Sequence, residues 1–397
     1  MRWPVAAMLV SALVALAACI STPLVSSPSE PSHRTIASST PSRTASSSSA
    51  GISPSPQPPP TTLASGVALP ACVPAAPAAS DTVTFVASGH AWALSPSGDH
   101  LTCLFAVEDA GPFVWGPLGD RVLLGGLEVK GVAGGPSLAA SDQTFGAVTW
   151  SKPTGKSIVY APASDAGLAK VLVAGTTTRD VTPLPSSTYL SVSYHPSGEA
   201  FATAVERDGS ESIWMSSNMG KSPGRLVFTE EGTKFGAIGF EVDGRHLLYA
   251  AQHADNHAEL HRIDVTDTTN APVIWKGPVG RMILDIQPGL ENGMFAWTTG
   301  TPSCADSIAM AQTPAGTVRA LPDVESPTRA VGWLGTTQLL VATGGCTGPL
   351  DLVTVDVSTG SVVPLVSGAA VAAVRTPAPT PPAPMPKSLA TEGSGFG

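Results

Sequence analysis

The chain has 397 residues, a net charge of −9 and only 13% charged residues. Nucleic-acid phosphates require clustered lysine and arginine, and because the sequence contains no such cluster, its charge balance argues against a nucleic-acid partner. Apolar residues make up 43% of the chain, which allows a sizeable core in one large all-β domain or in two or three smaller domains.

The first nineteen residues are predicted to be a targeting segment. Arg2 is a minimal positive region, and the apolar stretch 5–18 is shorter than the ~20 residues that span a bilayer. The stretch ends in Leu16-Ala17-Ala18-Cys19, which resembles the bacterial lipobox. The resemblance implies that Cys19 is acylated and holds the protein on the extracytoplasmic face of the cell membrane. An ordinary secretory signal and an uncleaved anchor are the alternatives.

Residues 20–80 are predicted to form a disordered tether. From Ile20 to about Pro77 the sequence is Ser, Thr, Pro and Ala with almost no aromatic residues, so it cannot bury enough surface to offset its ordering entropy. The Pro-rich tail at 377–397 has the same character. The folded domain is therefore expected at 81–376.

A short sequence pattern recurs within this domain: an apolar strand leads into a Pro/Asp/Gly turn, and a second apolar strand follows directly. The turn glycines Gly155, Gly198, Gly244, Gly293 and Gly335 lie 43, 46, 49 and 42 residues apart. A period in that range, with four short strands in each unit, predicts the blades of an all-β propeller.

Each of these hairpins is followed by a second pair of strands, for example at 169–185 and 258–276. The units resemble the WD-like repeat of TolB-type propellers, in which an SPDGK turn precedes the second strand. The turns here are degenerate, as in KPTGK (152–156) and VDGR (242–245). The resemblance covers residues 82–375 and implies a TolB-type propeller carried on a bacterial lipoprotein.

The first repeat lacks its first strand. Residues 82–105 supply its second, third and fourth strands, and no innermost strand precedes them. The missing strand can come from 368–376, after the last full unit. A ring closed by both chain ends in this way leaves no exposed sheet edge. Counting the composite blade gives about seven blades. Six is the alternative, because 127–145 is a poor strand pair.

Besides Cys19, four cysteines remain in a protein predicted to be exported, and they permit three pairings. Cys304 and Cys346 follow the second strands of neighbouring blades, so their loops are expected to lie close together and to form a disulfide. Cys72, just before the first strand, can then reach Cys103. Free buried thiols are the alternative.

One His-rich stretch, QHADNHAELHR (252–262), has a spacing that could hold a metal, because Glu259 and His261 would share a strand face with His257. We expect no metal there, since His261 takes the usual aromatic position of the third strand and the other histidines fall in a polar loop. No GxSxG, SxxK or HExxH motif occurs. No catalytic residue and no cofactor is therefore assigned.

The sequence thus predicts a non-catalytic binding or scaffold module whose partner is a protein or glycan of the cell envelope. The expected ligand surface consists of the loops between the second and third strands of the last three blades, at about 251–258, 299–306 and 344–349. Its residues predicted to face a ligand are His253, Asp255, Asn256, His257 and Thr347. The alternative is a propeller-based hydrolase or lyase of envelope polysaccharide or peptide.

Overall fold

The structure, a computed structural model, describes residues 60–375 except 109–110, 112, 133–137, 140–144, 163–166, 174–177, 219–223, 322–326 and 345–348. The described residues belong to one of the two units of the chain, Pro56–Gly397, and the other unit, Met1–Ser55, lies outside them. The predicted signal segment, most of the predicted tether and the predicted tail also lie outside them.

The described residues form 29 strands and one short 3₁₀ helix, Gly125–Leu127. The first twelve strands are β1 (Thr62–Leu63), β2 (Val83–Ala87), β3 (His90–Leu94), β4 (Leu101–Ala106), β5 (Val114–Trp115), β6 (Arg121–Leu124), β7 (Glu128–Gly131), β8 (Leu138–Ala139), β9 (Phe145–Trp150), β10 (Ser157–Pro162), β11 (Ala169–Leu172) and β12 (Thr178–Asp180).

The next eight strands are β13 (Thr188–Tyr194), β14 (Ala200–Arg207), β15 (Ser210–Ser217), β16 (Arg225–Thr229), β17 (Lys234–Phe240), β18 (His246–Gln252), β19 (His257–Asp264) and β20 (Val273–Val279). The last nine are β21 (Met282–Pro288), β22 (Phe295–Gly300), β23 (Ile308–Gln312), β24 (Val318–Leu321), β25 (Thr328–Trp333), β26 (Gln338–Thr343), β27 (Leu350–Asp356), β28 (Val362–Ala369) and β29 (Val371–Val374).

These strands form seven antiparallel sheets, the blades of a propeller. Blade 1 has the strand order β29-β2-β3-β4, and blades 2 to 6 each contain four consecutive strands from β5 to β24. Blade 7 has five strands, in the order β1-β28-β27-β26-β25. The predicted propeller of seven blades is confirmed. The weak stretch that favoured six blades does form a pair, with Glu128 opposite Ala139.

Blade 1 closes the ring with strands from both ends of the described chain. β29 pairs antiparallel with β2, from Val83 opposite Val374 to Val86 opposite Val371. The strand from 368–376 is therefore the innermost strand of blade 1, as predicted. No edge of β2 is left unpaired, which removes a site for edge-to-edge aggregation.

Two residues before 81, the predicted start of the propeller, also pair with a blade. Thr62 and Leu63 form β1 and pair with Ser367 and Val366 on the outer edge of blade 7. The Thr61 hydroxyl also donates to the carbonyl of Gly368 at 2.8 Å. A strand edge recruits backbone groups whatever the side chains are, so a segment of tether-like composition can still be ordered.

The core lies between the blades. Seven clusters of buried apolar side chains each combine two neighbouring blades, and together they cover all seven interfaces of the ring. The second strands are buried on both faces and read as continuous apolar runs, for example HLLYAAQ in β18 and FAWTTG in β22. Among the described residues, no helix has the length and apolar character needed to cross a bilayer.

Candidate functional site

A cleft of about 420 Å³ lies in the groove between blades 4 and 5. Its walls are the connection 230–233 between β16 and β17 and residues 253–255 of the turn between β18 and β19. His257, Glu259 and Lys276, on the two outer strands of blade 5, complete the lining. Most of the lining residues are charged or polar, whereas apolar clusters fill the rest of the interface.

Three polar residues alternate along β19 at the bottom of this cleft. His257, Glu259 and His261 are buried, with 8%, 8% and 7% of their surfaces exposed. Successive side chains of a strand point to opposite faces, so these three share one face. His261 lies opposite Tyr249, which belongs to the apolar cluster between blades 4 and 5, and this face is therefore turned toward blade 4.

The carboxylate of Glu259 is the centre of the site. Its Oε2 lies 3.1 Å from Nε2 of His253 and 3.1 Å from Nε2 of His261. Its Oε1 lies 3.0 Å from Nε2 of His257 and 3.2 Å from Nζ of Lys276. Three imidazole rings from one turn and one strand therefore point the same ring nitrogen at a single carboxylate.

The other ring nitrogen of His261 and of His257 is also engaged. His261 Nδ1 lies 3.0 Å from the carbonyl oxygen of Ala271, and its ring stacks on Tyr249 with centroids 4.8 Å apart. His257 Nδ1 is paired with the carboxylate of Asp255. His261 thus occupies the place of a stacked aromatic, as the sequence indicates, and contacts Glu259 as well.

His253 is held in the same manner from the neighbouring connection. Its Nδ1 lies 3.3 Å from Oγ1 of Thr233, and that hydroxyl donates to the Glu230 carboxylate at 2.9 Å. The rings of His253 and His257 are stacked, with centroids 4.7 Å apart. All three imidazoles are therefore fixed in orientation on both sides.

Glu259 is ionised at neutral pH. Its burial alone would raise its pKa, but hydrogen bonds with His257 and Lys276 and the nearby His253 outweigh burial and lower the pKa of Glu259 to about 2. The pKa of Asp255 also lies below its usual range, because its hydrogen bond with His257 outweighs desolvation. The cleft therefore presents two carboxylates close to three imidazoles.

The predicted ligand-facing residues are only partly found where the sequence placed them. Ala254, Asp255 and Asn256 form the exposed part of the turn, and His253 is half-buried beside them. His257 is the first residue of β19 rather than part of the loop; it pairs with Val279, lines the cleft and has its Nε2 3.0 Å from Glu259. Its predicted contact with a ligand stays a prediction. Thr347 lies outside the described residues.

A second cluster, Glu241, Asp243 and His246, lies on the opposite side of blade 5 from the cleft turn and is already satisfied. Arg262 binds both oxygens of Glu241, at 2.5 and 3.0 Å, and the backbone N–H of Gly293 donates to Oε2 at 2.8 Å. His246 pairs with Asp243 at 2.7 Å. This cluster links blades 5 and 6 and offers no free carboxylate.

The cysteines follow the predicted pattern as far as the structure describes them. Cys72 and Cys103 form a disulfide, with their Cα atoms 5.4 Å apart, which confirms that predicted pair. Cys304 is also in a disulfide. Its predicted partner, Cys346, lies outside the described residues, so that pairing stays a prediction, as does the acylation of Cys19.

No protein-family model matches the sequence, and no curated protein matches it. Solved structures do resemble the fold, and TolB proteins are among them. TolB from Acinetobacter baumannii is 11% identical, with a TM-score of 0.44 over 75% of this chain and 67% of that one. The propeller domain of Cps50 (Swd1) from Myceliophteria thermophila is 12% identical, with a TM-score of 0.49 over 69% of this chain and 90% of that one.

Prolyl oligopeptidase B from Galerina marginata is 13% identical to this chain, with a TM-score of 0.50. The match covers 74% of this chain and 52% of that one, so the chain spans about half the length of that enzyme. At these identities the likeness concerns the fold alone. The chain is a seven-bladed β-propeller, and its function has to be argued from its own residues.

Proposed function

We propose that this protein is a lipid-anchored, extracytoplasmic β-propeller that binds a protein or glycan of the cell envelope without chemical turnover. The observation that carries the binding role is the polar cleft between blades 4 and 5. Propellers gather loops from successive blades on one face, and ligands dock in clefts that combine a rigid frame with a few fixed polar groups.

The cleft has the properties of a preformed site. Asp255 and Lys276 line the cleft and are exposed, so they can hydrogen-bond to an incoming hydroxyl, amide or carboxylate. Behind them, the contacts of the three histidines to Glu259 fix the turn that carries Asp255. A site ordered before binding loses less conformational entropy when its ligand arrives.

The binding role is tested by photocrosslinking with the full-length protein in intact cells. A photoreactive residue at Ala254, which is exposed and lines the cleft, is expected to capture a partner. The matched control carries it at Thr359, in an exposed turn between β27 and β28 at the other end of the strands. Equal capture from both positions contradicts the proposal. Cleavage of envelope glycans or peptides by the purified protein contradicts it in favour of the hydrolase or lyase alternative.

The anchor is tested separately. Cys19→Ser is expected to abolish labelling by an alkyne fatty acid and to change the membrane fractionation of the protein, because acyl chains supply the membrane affinity. Cys72→Ser serves as the control, since it removes a different cysteine and should leave labelling intact. Unchanged labelling and fractionation of Cys19→Ser would show that Cys19 is not the lipidated residue.

A further inference from the structure

We propose that His253 and His257, through their Nε2 atoms, and Glu259, through its carboxylate, form a binding site for one divalent transition-metal ion of the zinc type. The inference is independent of the lipid anchor and of the identity of any envelope partner. It reverses the expectation from the sequence, which placed both histidines in a polar loop without a metal.

The ligand atoms already lie close together. One ligand atom from each of His253, His257 and Glu259 lies within 4.8 Å of the other two. Ligand atoms around tetrahedral zinc, at ~2.0–2.1 Å from the ion, lie about 3.4 Å from one another, so these side chains would move closer together on binding, and a water molecule would supply the fourth ligand. His261 lies outside this group, and its Nε2 supports the carboxylate of Glu259 at 3.1 Å.

The other ring nitrogens of the two histidines are held in place, as in metal sites. His257 Nδ1 is paired with the carboxylate of Asp255, and His253 Nδ1 lies 3.3 Å from Oγ1 of Thr233. Metal-bound histidines typically use their second ring nitrogen in a hydrogen bond to a carboxylate, a backbone carbonyl or water, which fixes the orientation of the ring. The Nε2 atoms of both rings therefore point at Glu259, where an ion can bind.

The ligand set also indicates the class of ion. Imidazole nitrogens together with one carboxylate suit zinc and its neighbours among the divalent transition metals, whereas Mg²⁺ and Ca²⁺ prefer oxygen ligands only. The cleft gives the ion access from solvent. Lys276, whose side chain is 60% exposed, is free to leave Glu259 when the ion enters.

The test uses the full-length protein, purified without a histidine tag and stripped of metal with EDTA. We expect one Zn²⁺ per chain by calorimetric titration, a rise in melting temperature with Zn²⁺ but not with Mg²⁺, and visible absorption bands of a four-coordinate site with Co²⁺. Glu259→Gln and His257→Gln are expected to weaken Zn²⁺ binding by about 100-fold or more and to remove the Co²⁺ bands.

Two further variants keep the test decisive if a ligand substitution disturbs folding. His90→Gln changes a histidine in blade 1, far from the cleft, and should bind Zn²⁺ as the parent does. Lys276→Met removes the competing ammonium and should bind Zn²⁺ at least as tightly as the parent. Absence of Zn²⁺ binding by the parent and by Lys276→Met overturns the proposal, and so does binding that His257→Gln leaves unchanged.

Discussion

Gly198 packs so closely against the backbone carbonyl of Lys152 that a β-carbon on Gly198 would lie 1.8 Å from that oxygen. Gly198 belongs to the turn between the first two strands of blade 4, and Lys152 belongs to the corresponding turn of blade 3. The next blade repeats the contact, since a β-carbon on Gly244 would lie 2.5 Å from Nε2 of His195. The recurrent turns therefore touch one another from blade to blade.

Gly198→Ala is predicted to destabilise the protein by about 3 kcal/mol or more, because it combines backbone strain with a collision against a neighbouring main chain. The matched control is Gly209→Ala. Gly209 has the same φ of +77° as Gly198, but a β-carbon there meets nothing within 4 Å. Gly209→Ala should lower the free energy of unfolding by about 1 kcal/mol, because it introduces the backbone strain without the collision. Equal losses in urea unfolding of the two variants would show that the blade-to-blade contact is not rigid.

Removal of the disulfide by the double substitution Cys72→Ala/Cys103→Ala is predicted to lower stability by about 2–4 kcal/mol, because the bridge closes a loop with a sequence separation of 31. The propeller should still fold, since its interfaces are held by seven separate apolar clusters. Calorimetry measures the loss, and limited proteolysis should reveal new cleavage between residues 64 and 80. An unchanged melting temperature would contradict a stabilising role for the bridge.

Truncation after Ala370, which removes β29, is predicted to expose the edge of β2 and to cause aggregation. Truncation after Thr376 is the control, since it keeps β29 and the hydrogen bond from the Arg375 backbone N–H to Thr82. Light scattering and thermal unfolding should separate the two truncated proteins. If both remain monomeric with the same melting temperature, β29 does not close the ring in solution.

Asp264 is predicted to contribute an acid-sensitive part of the stability. Burial opposes its ionisation, but Arg245, at 2.5 Å, and Thr266 outweigh burial and hold its pKa well below the usual range. A lowered folded-state pKa stabilises the protein above the unfolded-state pKa of ~3.9, and this contribution is lost as the pH falls toward the folded-state value.

Asp264→Asn should therefore cost about 1–2 kcal/mol at neutral pH, and the difference from the parent should shrink as the pH falls below about 4. Thermal unfolding of both proteins between pH 7 and pH 2 measures this difference. Arg245→Met should cost less, because Arg245 is 60% exposed and its ion pair is screened by water. A pH-independent gap would mean that the Asp264 carboxylate has the same pKa in both states.

The fold was predictable because its signal is local and repeated. Each turn glycine sits between two apolar strands in the sequence, so the blades and the closing strand 371–374 follow from the spacing alone. The strand Thr62–Leu63 could not be predicted in this way, because it consists of only two residues. They pair through their backbones with a strand edge more than 300 residues away in the chain. Nothing in a Ser/Thr/Pro-rich composition indicates such a partner.

The cleft was predictable only within one strand. The two-residue spacing of His257, Glu259 and His261 indicates a common face, and the structure has that face. Thr233 and Lys276 come from other segments, and their contacts depend on how blade 4 meets blade 5. Without those contacts, the orientation of each imidazole cannot be read from the sequence, and three histidines near a turn look like an ordinary polar loop.

The attachment of β1 and Cys72 has a mechanical consequence. Tension applied to the chain at residue 60 meets β1 first, and a pairing of two residues unzips under a small load. The segment between β1 and Cys72 is then fully extended. From Cys72 the disulfide transmits the force to Cys103 in β4, the outermost strand of blade 1. Under force, the ordered N-terminal segment therefore extends by losing β1 and is then stopped by the disulfide, before the four main strands of any blade are pulled apart.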